Sequence, residues 1–138
     1  MSSKDVIQLV NRILELRIPQ CNGIFEVFDE VGVVDASDGV FMVSESFHPC
    51  CHGTVLTYGL SDFQCLRDVA LMDPLILTDA YGNEYYYKVT GMSVVDFEEG
   101  GHVTINDFGR ELKLVTPWPL DGYMFDDPSH YVLTATQL

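Results

Sequence analysis

The apolar positions follow one period at the start of the chain and another after it. Val6, Leu9, Val10, Ile13 and Leu14 recur at the i, i+3, i+4, i+7 spacing, which predicts an amphipathic helix over residues 4–16. Ser2 or Ser3 supplies its cap, and Asp5 an acid in the first turn. Pro19 lacks an N–H and ends any helix before it. Beyond Pro19 the apolar residues fall into short runs broken by turn residues, the texture of strands. The runs are Ile24–Phe28, Val31–Val34, Val40–Val43, Thr54–Tyr58, Leu75–Thr78, Tyr85–Val95, Val103–Ile105, Leu112–Thr116 and Tyr131–Thr136. A DASDG turn at residues 35–39 separates two of them, and Gly82-Asn83 predicts a hairpin. Asp62–Val69 is read as one or two helical turns capped by Asp62. Roughly eight short strands with one helix predict an all-β barrel or sandwich.

The length of 138 residues fits one domain. A chain of this size buries about two thirds of its surface on folding, so stability requires neither disulfides nor a metal. Charge narrows the partners. There are 21 acidic residues against seven basic ones, a net charge of −14. The acids are spread from Asp5 to Asp127, and the basic residues form no stripe for a phosphate backbone, which excludes nucleic acid. Anionic membrane surfaces are disfavoured for the same reason. The acidic surface is read as a solvated one; a cationic or Ca²⁺-dependent partner is the alternative, and no twelve-residue Ca²⁺ loop is present. No run approaches the ~20 apolar residues of a membrane span. The opening segment carries Asp5 and Glu15 and is not a secretory signal. The sequence as it stands is read as cytoplasmic, or as a cell-envelope protein whose N-terminal anchor has been removed.

His48-Pro49-Cys50-Cys51-His52 puts four soft or borderline ligands within five residues. Structural zinc sites take two such pairs separated by a longer insert. Here Cys21, Cys65, His102 and His130 stand alone, so an ordinary loop is expected and no metal is assigned. Adjacent cysteines are poorly placed to bond to each other, and the spacing is not a disulfide framework. Cys65 reads as a small buried hydrophobe.

The last thirty residues carry the most specific pattern. Leu112-Lys113-Leu114-Val115-Thr116-Pro117-Trp118-Pro119-Leu120-Asp121 is followed by Pro128-Ser129-His130-Tyr131-Val132-Leu133-Thr134-Ala135. This pair resembles the end of a sortase domain, a strand L-x-L-V-T-C-Y-P-F-D, a loop, and a strand R-Y-V-V-T-A. Upstream, Leu16-Arg17-Ile18-Pro19 resembles the family's opening strand and Phe63-Gln64-Cys65-Leu66-Arg67-Asp68-Val69 its F-x-F-L-R-D-L turn. Asp79-Ala80-Tyr81-Gly82 and Tyr87-Lys88-Val89-Thr90-Gly91 resemble its central hairpin. The resemblance implies a sortase-like eight-stranded β-barrel over residues 16–138, with residues 1–15 forming a short N-terminal helix outside it.

Sortases are cysteine transpeptidases in which a Cys, a His and an Arg converge at one end of the barrel. In this chain the Cys position falls on Pro117 and the Arg position on His130. The His position falls on Tyr58 counting back from Phe63, or on Leu60 counting forward from Gly53. Proline has neither nucleophile nor N–H. A phenol with a reference pKa near ~10 is a poor proton shuttle at neutral pH. Imidazole lacks the five-donor fork of guanidinium. No catalytic residue or cofactor is therefore assigned, and the resemblance implies a catalytically inactive domain. It would bind a peptide, a sorting-signal-like segment or an active sortase paralogue in a groove lined by Tyr58, Trp118, Asp121 and His130. Trp118, held between two prolines, is expected to be the exposed member. The alternative is an enzyme of altered mechanism using Cys50 or Cys51 as nucleophile with His48 or His52 as base. That loop just precedes the His position and is expected at the same end of the barrel, with at most one of the two thiols facing the groove.

Overall fold

The computed structural model describes residues 12–29, 39–43, 46–120 and 129–138. Eight strands run β1 Arg12–Ile18, β2 Gly23–Asp29, β3 Val40–Met42, β4 Gly53–Gly59, β5 Pro74–Asp79, β6 Glu84–Asp96, β7 Arg110–Pro117 and β8 Ser129–Gln137. They close into a barrel in the order β1-β2-β3-β4-β7-β8-β6-β5. The β2·β3 and β4·β7 contacts are parallel and the other six antiparallel. Closure gives every strand a neighbour on both sides, although β3 covers only Val27–Asp29 of β2. No helix among the described residues is long and apolar enough to cross a membrane.

β1 corrects the helix expected over residues 4–16, since positions 12–16 are strand. Leu14, Leu16 and Ile18 are buried and alternate with less buried neighbours, a period of two that β2 and β5 satisfy by pairing on either side. Ile13 and Leu14 fit a helical stripe equally well, and tertiary pairing decides between the two periods. Residues 4–11 and the run Val31–Val34 lie outside the described residues. After Ile18 the chain makes a 3-10 turn, Pro19–Cys21, and leaves it through Asn22 at φ 54°.

The segment read as helical after β4 is a 3-10 helix, Ser61–Asp68. Asp62 does not cap it. Leu60 holds that position without a side-chain bond, and its carbonyl accepts the Phe63 N–H at 3.1 Å. The expected strand Val103–Ile105 is irregular. The Gly82-Asn83 hairpin joins β5 to β6 as expected.

Burial divides the apolar residues into an inner and an outer cluster. Leu14, Leu16, Val55, Leu75, Leu77, Val89, Leu112, Leu114 and Leu133 belong to the inner one, to which Phe63 and Leu66 of the 3-10 helix add. Leu56, Val115 and Val132 form the outer cluster with Tyr58, Val95, Val103 and Ile105 packed on it. Val55 and Leu56 are neighbours in β4 yet fall in different clusters, as the alternation of a strand requires.

Candidate functional site

The outer cluster sits where β4, β7 and β8 meet. Parallel pairing sets Tyr58 beside Val115. Antiparallel pairing sets Val115 opposite Val132 and Pro117 opposite His130. Alternation then puts Tyr58, Val115, Pro117, His130 and Val132 on the outer face, while Leu112, Leu114 and Leu133 turn inward. Three of the positions singled out in the sequence thus come together at the end where β4 and β7 finish and β8 begins.

Tyr58 Oη lies 3.3 Å from His130 Nε2. The two rings are 5.9 Å apart, Phe97 packs at 4.6 Å from the His130 ring, and Phe41 at 5.5 Å from the Tyr58 ring. Leu60 is buried beyond the strand end, where its carbonyl accepts the Thr116 hydroxyl at 3.3 Å. Of the two alternatives for one position, Tyr58 is the one that meets His130.

Trp118 is half-buried rather than exposed. Its N–H donates to Ser129 O at 3.0 Å, which extends the β7·β8 ladder by one residue. Its side chain thereby shares the inward parity of Leu114 and Thr116. It stacks on Tyr131 with centroids 5.6 Å apart and rings at 22°, and both pack against the inner cluster. Burial pushes the Tyr131 phenol up. Asp121 lies outside the described residues.

Below Tyr58 the outer face holds a cavity of about 240 Å³ with apolar walls. It is lined by Leu56 and Tyr58 of β4, Val115 of β7, Val43, and Phe97, His102 and Val103. The last three belong to the connection between β6 and β7. Asp96 starts that connection by accepting the Glu98 and Glu99 N–H groups at 2.9 and 3.2 Å. A Cβ at Gly101 would stand 2.6 Å from Asp96 O, so the tight return requires glycine. Farther along, Asn106 N–H donates to Thr54 Oγ1 at 2.9 Å, and Lys113 Nζ to Thr104 O at 2.9 Å. Glu111 accepts from both Thr54 Oγ1 and Asn106 Nδ2. Sequence reading missed Val43, Leu56, Phe97, His102 and Val103 as wall residues. Only the distant register of β4 against β7 brings them together, and no local pattern encodes it.

The His48–His52 loop is not at this end of the barrel. It precedes Gly53, at the start of β4, whereas Tyr58 lies near its finish. Strand rise separates the two ends by roughly 20 Å at about 3.3 Å per residue. The loop is a turn rather than a strand, closed by Cys51 N–H to His48 O at 2.9 Å. Both sulfurs therefore emerge together instead of on opposite faces. Cys50 Sγ is 3.5 Å from Cys51 Sγ and 3.1 Å from His48 Nδ1, and that nitrogen also accepts the Cys50 N–H at 3.2 Å. The hydrogen bond with Cys51 chiefly, and then burial, push the Cys50 thiol up. His52 is exposed. Among the described residues, no group of three or more His, Cys, Asp or Glu side chains is placed to hold a metal. Cys21 and Cys65 are half-buried and pack against the inner cluster. Burial, and then a hydrogen bond with Cys21, push the Cys65 thiol up to about 12.

No protein-family model matches the chain, and no curated protein matches it. Solved structures do. Sortase A from Corynebacterium diphtheriae superposes with a TM-score of 0.78 at 18% identity, covering 99% of this chain and 69% of that one. Streptococcus agalactiae sortase C1 gives 0.77 at 15% identity over 93% and 68% of the two chains. The catalytic domain of B. anthracis SrtD gives 0.71 at 22% identity over 93% and 88%. The chain has a sortase-like fold.

Proposed function

We propose that this sortase-like domain is catalytically silent and binds an extended, apolar peptide segment of a protein partner in the cavity on the outer face of β4 and β7. One observation carries the reading: Tyr58 lines an apolar cavity and meets His130, which is paired with Pro117, and none of the four cysteines belongs to that face. Under the family resemblance these three replace the His, the Cys and the Arg. Acyl transfer needs a thiolate to attack and an acid to protonate the leaving amine. Pro117 offers no sulfur, and the Tyr58 phenol is already engaged with His130. Loss of a nucleophile costs many orders of magnitude in rate. What remains is a concave apolar surface with a few polar groups at its edge, the usual character of a ligand site.

The contact between Cys50 and His48 favours a second reading, a thiol enzyme of altered mechanism. Its thiol is pushed up rather than down, the reverse of an activated nucleophile, and it lies at the other end of β4. One experiment addresses both. An isotope-labelled chain is titrated with a sorting-signal-type pentapeptide, before and after all cysteines are alkylated. The proposal expects shifts at Leu56, Val103 and Val115 that alkylation leaves unchanged, with the peptide intact. A cleaved peptide or an acylated cysteine establishes the thiol enzyme instead. Shifts confined to other faces reject the cavity as the binding site.

A further inference from the structure

The pair Cys50–Cys51 lies away from the outer cavity, and the fold brings its two sulfurs into contact with each other. Both side chains are exposed, and their sulfurs stand 3.5 Å apart because the chain turns between His48 and Cys51. His48 Nδ1 accepts the Cys50 N–H, so that nitrogen is the unprotonated one of the ring, and its lone pair is shared with Cys50 Sγ at 3.1 Å, the group whose proton it can take. Cys21 and Cys65 also stand within hydrogen-bonding reach of each other, but they are half-buried and directed at the Ile18 and Asp62 carbonyls.

We infer that Cys50 and Cys51 form a thiol–disulfide exchange site that takes a low-molecular-weight disulfide and resolves it into a Cys50–Cys51 bond. In the first step the Cys50 proton passes to His48 Nδ1 and the sulfur attacks one sulfur of the incoming disulfide. A mixed disulfide forms on Cys50, and the departing thiolate recovers the proton. In the second step Cys51 loses its proton and attacks the Cys50 sulfur, and the second small thiol leaves. Two protein thiols are oxidised and one disulfide becomes two thiols, so electrons and protons balance. The partner sulfur is already in contact, which makes the second step intramolecular and fast relative to escape. The product is a strained ring of adjacent residues, and strained disulfides are the labile, easily reduced kind. The pair therefore acts as a reversible modification site, open again when small thiols return.

The charged and titratable groups that face the pair include Asp79 and Tyr85, besides His48, the adjacent His52 and the two thiols themselves. Exchange needs the thiolate, so it quickens as pH rises towards the elevated thiol value.

The test treats the full chain with oxidised glutathione at mildly alkaline pH and follows intact and peptide masses. Wild type is expected to lose two hydrogens in the peptide that holds Cys50 and Cys51, with no lasting adduct, and to regain them with reduced glutathione. Cys51→Ser is expected to trap one glutathionyl group on Cys50, and His48→Gln to slow the first step by about a hundredfold. Cys21 and Cys65 remain unmodified. Stable glutathione adducts on wild-type Cys50 or Cys51, or first reaction at Cys21 or Cys65, overturn the inference.

Discussion

Tyr58 Oη and His130 Nε2 meet at 3.3 Å although 72 residues separate them in the chain. The contact exists because β7 has β4 on one side and β8 on the other, so both residues point outward from the strands flanking Val115 and Pro117. Tyr58→Phe removes the hydroxyl and keeps the ring against Phe41. The expected loss is about 0.5–1.5 kcal/mol in urea unfolding, the usual net worth of such a bond. His130→Ala also removes the packing on Phe97 and is expected to cost more. The double variant should fall short of the sum, and additivity within about 0.3 kcal/mol would show that the contact contributes nothing.

That pair also marks how far the sequence could be read. The barrel strands were visible because runs such as Leu112–Thr116 and Tyr85–Val95 alternate over a turn-bounded length, and the spacing of Pro117 and His130 follows from the resemblance alone. Tyr58 and Leu60 could not be separated, since a one-residue difference in the connection before Phe63 shifts the count. The register with Val115 places Tyr58 against His130, while Leu60 lies beyond the strand end. Trp118 is half-buried rather than exposed because its N–H continues the ladder to Ser129 O, a bond its flanking prolines do not announce. The Cys50–Cys51 loop was placed at the wrong end because nearness in sequence to Tyr58 ignored the length of β4. The cavity had no sequence signal, since its far wall is an irregular connection held by Thr54, Glu111 and Lys113.

The start of β4 depends on one backbone conformation. Gly53 has φ +130°, and a Cβ there would lie 2.5 Å from Phe47 Cδ2 and 2.9 Å from Asn106 O. The aromatic ring can move, but the carbonyl belongs to the connection that walls the cavity. Gly53→Ala should cost roughly 1–3 kcal/mol of backbone strain alone. A lowered melting temperature, together with perturbed shifts at Asn106 and Val103, is the expected result. An unchanged melting temperature would show that the connection yields freely.

Val103 tests the cavity from the connection between β6 and β7 rather than from a barrel strand. It is half-buried on the connection and faces Leu56 and Val115 across the cavity. Val103→Glu puts a carboxylate among apolar walls, where the charged form is unfavourable unless it turns to solvent. Unfolding free energy should change by under about 1 kcal/mol, as for other substitutions outside the core. Affinity for the apolar pentapeptide should fall at least tenfold, about 1.4 kcal/mol. Equal affinity, read by calorimetry, would remove the cavity from the binding site.

Asp79 gives the fold a dependence on acid. It is 8% exposed at the end of β5, and its carboxylate accepts from the Tyr81 N–H, the Asn83 N–H and side-chain amide, and the Tyr85 hydroxyl, at 2.9–3.1 Å. Burial works to raise its pKa, but the bonds from Asn83, Tyr81 and Tyr85 together outweigh that and hold it below the ordinary 3.8. A carboxylate with a depressed folded value binds its proton more readily when the chain is unfolded. Its contribution is therefore complete above the unfolded value and is lost as pH falls through the folded one. Wild type should lose stability progressively below about pH 4, the unfolded carboxylate range. Asp79→Asn keeps the size but cannot accept at both oxygens, so it should be less stable at neutral pH and should lose less on acidification. Urea midpoints measured for both proteins from neutral to acid pH decide the matter. Parallel curves would mean that the hairpin bonds to Asp79 do not favour its ionised form.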